Sequence, residues 1–70
     1  MGKIQAVIFD KRYWKIKEAD KWLVEHGLLN NFKPVHVTKS YLRYRQFVPK
    51  KNKTYRMINF NETIKAVIEY

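Results

Sequence analysis

Cysteine is absent from the chain. That excludes disulfides and thiolate zinc sites, and it leaves a reducing compartment open. Glycine occurs twice and serine once. Two glycines are too few for a phosphate-cradling loop, and neither flanks Ser40, so no serine elbow is present. The two histidines, His26 and His36, lie ten residues apart with no carboxylate at ligand spacing. A metal is not expected at either, and His26 is read as a helix-end residue that caps or packs. The six acids are scattered, without a pair for acid–base work. These absences together argue against an enzyme and against a cofactor. The start, Met1-Gly2-Lys3-Ile4, opens no signal peptide or membrane-spanning run. Ala6 stands where a myristoylation motif wants Ser or Thr. A membrane is therefore not an expected partner.

Acidic residues are missing most unevenly. Residues 1–25 hold six basic and four acidic side chains, and residues 62–70 are net −1. Residues 26–61 hold eight basic side chains and no acidic one. The chain as a whole carries a formal charge of +9. A one-signed middle favours a polyanion partner. The plainer alternative is charge that only keeps a small protein soluble.

Apolar and aromatic residues are plentiful, at 46% and 16%, which a disordered basic tail would not need. Seventy residues allow a single domain, 1–70, with a small core. Lys3 to Phe9 is an apolar run that reads as a strand. Trp14 to His26 reads as a helix, because Ile16, Ala19, Trp22, Leu23 and His26 recur at helical spacing. Gly27 is placed to end it in the left-handed region. Phe32 to Thr38 reads as a second strand, with Pro34 at an edge or before pairing begins. A tight turn at Lys39-Ser40 leads into Tyr41 to Val48, read as a strand in the middle of the sheet. Pro49 to Thr54 reads as a basic hairpin loop, Tyr55 to Phe60 as the fourth strand and Asn61-Glu62 as a short turn. In that turn Asn tolerates positive φ. Thr63 to Glu69 is the last strand. The triplets Ala6-Val7-Ile8 and Ala66-Val67-Ile68 are alike, so the two ends of the chain are expected to be sheet neighbours. The fold class is α+β: one helix packed on an antiparallel sheet of four to five strands, in the order β-α-β-β-β-β. The four strands after the helix are expected to form a meander.

Side chains on a strand alternate faces, so Tyr41, Arg43, Arg45 and Phe47 share one face and Leu42, Tyr44, Gln46 and Val48 the other. Arg56 and Lys65 join the arginines if the register allows. Arginine neutralises phosphate and aromatic rings stack on unpaired bases. The candidate nucleic-acid contacts are therefore Arg43, Arg45 and Arg56, the loop lysines Lys50, Lys51 and Lys53, and the rings of Tyr41 and Tyr55. Two plainer readings stand beside this one. The arginines are solvated residues whose stems cover apolar surface, or the Arg-x-Arg-Gln strand is a hydrogen-bonding element that locks the helix end.

The residues Trp14, Ala19, Trp22-Leu23-Val24-Glu25-His26-Gly27 and Tyr41-Leu42-Arg43-Tyr44-Arg45-Gln46 resemble a small domain of large DNA viruses and tailed phages. Its pattern ends in a strand like Ile64 to Ile68. The resemblance implies a viral or phage setting, in the infected cell or the virion. It carries over no catalytic residue. The charge pattern and the arginine strand give the expected function: a small non-enzymatic basic viral or phage protein that binds nucleic acid, DNA or RNA, or another polyanion through the basic-aromatic sheet face and the lysine loop. The alternative is an interaction or assembly module that forms a homo-oligomer or docks on a viral partner protein.

Overall fold

The computed structural model describes residues 2–32 and 34–70. Six elements follow in order: β1 (Lys3–Asp10), α1 (Ile16–Glu25), β2 (His36–Val37), β3 (Tyr41–Arg45), β4 (Tyr55–Asn59) and β5 (Ile64–Glu69). The fold is α+β, with one helix on a five-stranded antiparallel sheet in the spatial order β2-β3-β1-β5-β4.

The first strand is the centre of this sheet, not Tyr41–Arg45. Ala6, Val7, Ile8 and Phe9 are all buried in succession. Such a run suits a strand with neighbours on both edges, covered by the helix on one face and by long neighbouring side chains on the other. β3 supplies one neighbour and β5 the other, so the expected meander is broken between β3 and β4. The two similar triplets do pair, through Val7 with Ala66 and Ala6 with Val67. Residues 46–54 are consequently not a hairpin loop. They carry the chain past β1 and β5 to the far edge.

The crossing is tied to β1 at Gln5. The ladder with β5 shifts between Ile4 and Ala6, which leaves Gln5 as the extra residue of a bulge. Gln5 is 1% exposed, and its Nε2 donates to the Phe47 carbonyl at 2.6 Å. Its own carbonyl accepts from the Gln46 N–H at 2.7 Å. These bonds stop β3 at Arg45 and turn the chain, so Gln46 to Val48 do not extend the strand and Phe47 does not stand in line with the arginines. The second strand is also shorter than expected. Only His36 and Val37 pair, and Pro34 precedes them; Lys33 of the expected strand lies outside the described residues.

The helix packs over one face of the sheet. Ala19 and Leu23 are buried against Val7, Phe9, Leu42, Tyr44 and Ile64. Ile16 and His26, expected on the same stripe, are exposed. Phe9 is the hub, with ring centroids 5.1 Å from Trp14 and 5.6 Å from both Trp22 and Tyr44. The Trp14 Nε1 donates to Thr63 Oγ1 at 2.9 Å, which satisfies the one polar atom of that ring. Gly27, at φ +69°, ends the helix as its spacing suggests. The Leu28 N–H reaches Leu23 O at 2.8 Å and the Gly27 N–H reaches Val24 O at 3.1 Å. Those are the paired bonds of a Schellman end, and Leu28 packs with Leu23 in the same cluster. His26 closes the end by stacking on Trp22 at 3.8 Å. None of the helices among the described residues is long and apolar enough to cross a membrane.

Candidate nucleic-acid interface

The other face of the sheet has no helix over it. Directly paired residues of antiparallel strands stand on the same side, so the register gives its rows. One row runs His36, Arg43, Ile8, Lys65, Asn59. The next runs Arg45, Ala6, Val67, Met57. Ala6, Ile8 and Val67 are buried here although nothing is stacked on them; the half-buried Tyr41 and Tyr55 lie against this cluster. Small side chains in the middle are sheltered by long ones around them.

Of the expected phosphate contacts, the structure brings Arg43 and Arg45 together and leaves Arg56 out. Arg56 pairs with Ile68, on the helix side, and its guanidinium lies 5.5 Å from the Tyr70 ring centroid. The reason is the turn before β5. Two turn residues, Asn61 and Glu62, would set Phe60 opposite Thr63 and Arg56 opposite Val67. Instead Asn61 Oδ1 accepts from the N–H groups of Thr63 and Ile64 at 2.8 and 3.0 Å. This side-chain turn, reached without positive φ at Asn61, adds one residue to the connection. A one-residue slip moves every side chain to the opposite face. Lys65, whose side is set by β1, does stand among the arginines.

His36 is a neighbour on this face that charge counting missed. The turn residues Lys39 and Ser40 set Thr38 opposite Tyr41 and hence His36 opposite Arg43. The Thr38 hydroxyl accepts the Tyr41 N–H at 3.0 Å, which holds this turn without glycine. Counting outward from the turn was the available signal. Pro34, Val35, His36, Arg43 and Arg45 line a shallow cleft of about 390 Å³. Arg43 Nε is buried without a hydrogen-bond partner. Among the described residues the only ion pair is Arg12–Asp10, at 2.8 Å, so neither arginine has a carboxylate partner. The Arg12 guanidinium holds the Asp10 carboxyl below its ordinary range. That spent pair lines a second cleft at the C-terminal end of β1, with Ser40, Tyr41, Glu62 and Lys65.

The tyrosines differ in freedom. The Tyr55 hydroxyl donates to Glu69 Oε2 at 2.9 Å and accepts the Lys50 N–H at 2.7 Å. Desolvation, with the Glu69 carboxylate beside it, raises its phenol against the lowering by Lys50. Tyr55 is thus the strut that fixes the root of the basic loop, and its hydroxyl is occupied. The hydroxyl of Tyr41 makes no hydrogen bond among the described residues. Lys50, Lys51 and Lys53 are all exposed on the loop that Tyr55 holds.

Gln46 has the locking role considered for the arginine strand. Its side-chain amide donates to Leu29 O at 2.8 Å and accepts the Leu29 N–H at 2.7 Å, just beyond the helix end. The arginines take no part in that lock. Comparison with protein-family models, curated proteins and solved structures returned no match to this chain.

Proposed function

We propose that this chain is a small non-catalytic module that binds nucleic acid through the bare face of its sheet. One observation carries the reading. Arg43, Arg45 and His36 converge on one cleft with no carboxylate in it, and Arg43 keeps a buried donor without an acceptor. Arginine is suited to phosphate oxygens. Lys65 on the same face, and Lys50, Lys51 and Lys53 on the loop, extend the positive surface. Tyr41 is the ring available to a base; Tyr55 serves by holding the loop. On the resemblance of the tryptophan helix and arginine strand to a viral and phage domain, its setting is the infected cell or the virion.

Affinity for short DNA and RNA, single- and double-stranded, measured across a salt series tests this. Log affinity should fall with log salt at a slope of about −3 to −5, as expected for several neutralised phosphates. A flat response, or no binding at low salt, would end the proposal.

A further inference from the structure

The far edge of the sheet is built to accept another strand. β4 ends the sheet, paired only with β5. Its phase can be read from two flanking bonds: the Tyr70 N–H donates to Thr54 O and the Phe60 N–H to Ile64 O, both at 2.9 Å. Even-numbered residues of this strand therefore turn their backbone groups inward. In an antiparallel ladder the alternate residues point theirs outward. Tyr55, Met57 and Asn59 thus present N–H and C=O groups along the edge that are unpaired among the described residues.

Proteins usually blunt such an edge with lysine, proline, a bulge or a very short strand. The opposite edge follows that rule, since β2 has two residues and Pro34 stands before it. β4 does not. It has five residues, no register shift against β5, and neither lysine nor proline. Met57 is 57% exposed on the bare face and Ile58 40% exposed on the helix side.

We infer that β4 pairs with β4 of a second copy of this chain, antiparallel, about a two-fold axis at Met57. The register follows from the phase and the charge. Centred on Met57, each outward residue meets another: Tyr55 with Asn59 of the second copy, Met57 with Met57, and Asn59 with Tyr55. In that register Arg56 lies opposite Ile58 of the second copy. Moving the axis to Arg56 would set the two arginines directly opposite, where like charges repel. Moving it to Ile58 would leave Tyr55 and Arg56 hanging beyond the pairing. The two-fold runs perpendicular to the sheet, so the two sheets join and both bare faces lie on one side. The pairing stands on the edge alone and does not require the nucleic-acid reading.

Salt separates the two. Each copy carries +9, so screening strengthens self-association while it weakens polyanion binding. Sedimentation over a concentration series, at low and high salt and without nucleic acid, reads the inference. The wild type should form a dimer that gains with concentration and salt. Met57→Lys places two cations face to face and should leave a monomer. Met57→Pro should do the same, because the N–H it removes points away from β5 and breaks no bond within the sheet. Circular dichroism checks that each variant is folded; if the proline variant is not, the lysine variant decides. A monomer under every condition, an open-ended series of larger species, or a dimer that Met57→Lys leaves intact would overturn the inference.

Discussion

The two faces of this sheet bury apolar residues by different means. On the covered face large side chains meet a second layer: Phe9, Tyr44, Leu42 and Ile64 pack against Ala19 and Leu23 of the helix. On the bare face Ala6, Ile8 and Val67 are buried without a second layer, packed beside tyrosine rings and among long cationic side chains. The first arrangement holds the helix and the sheet together. The second leaves the tips of arginine and lysine in water while their stems keep water from small residues. Charge and cohesion are thus sorted by face, and a substitution should report which face it strikes.

The largest effect is expected on the covered face. Phe9→Ala removes the ring that Trp14, Trp22 and Tyr44 all touch, at a cost of about 3–5 kcal/mol. A chain of this size has about that much stability in total, so chemical denaturation should find the variant largely unfolded. Trp22→Ala should cost less, about 2–3 kcal/mol, because Trp22 is only half-buried.

A smaller effect on the same face depends on pH. Burial, and then the Asp20 carboxylate, push the Tyr44 phenol above its ordinary value. A tyrosine in the unfolded chain ionises near pH ~10. Above that pH the unfolded state binds fewer protons than the fold does, so stability falls as pH rises. The contribution is fully present below the unfolded value and is lost through the folded one. Denaturation midpoints should therefore drop steeply above pH ~10, and Tyr44→Phe should soften that drop. At neutral pH the same variant should cost only about 0.5 kcal/mol, since its hydroxyl bond to Ile16 O is 3.4 Å long. An alkaline slope unchanged by Tyr44→Phe would place the titration elsewhere.

Much of this division was legible in the sequence. The alternation of Tyr41 to Arg45 sorted its arginines from Leu42 and Tyr44, and the helical spacing found Ala19, Leu23 and the Gly27 end. The twin triplets foretold the pairing of β1 with β5. Three things about the fold were not legible. The central place of β1 depends on a non-local pairing, and short links between later strands pointed to a meander instead. The bulge at Gln5 looks, in sequence, like one polar residue in an apolar strand. Its role appears only when residues 46 and 47 are brought against it. The face of Arg56 hung on whether the turn before β5 had two residues or three, and one carboxamide oxygen decided it. In the candidate site the arginine pair was visible and His36 was countable from the turn. The cleft around them was not, because it needs Pro34 and Val35 folded beside β3.

The most direct test of the whole account, with a small effect on stability, belongs to the bare face. Arg43→Ala with Arg45→Ala removes two side chains that have no ion-pair partner among the described residues. Losing the cover that these stems give Ile8 and Ala6 should cost the double variant about 1 kcal/mol in unfolding, well short of Phe9→Ala. It should lose most of its affinity for nucleic acid, and its salt slope should shrink by about 2. Thermal melting and a salt titration of that one variant measure both halves together. A midpoint that collapses as far as that of Phe9→Ala would make the arginines structural, and affinity that survives with its slope intact would mean nucleic acid is held elsewhere.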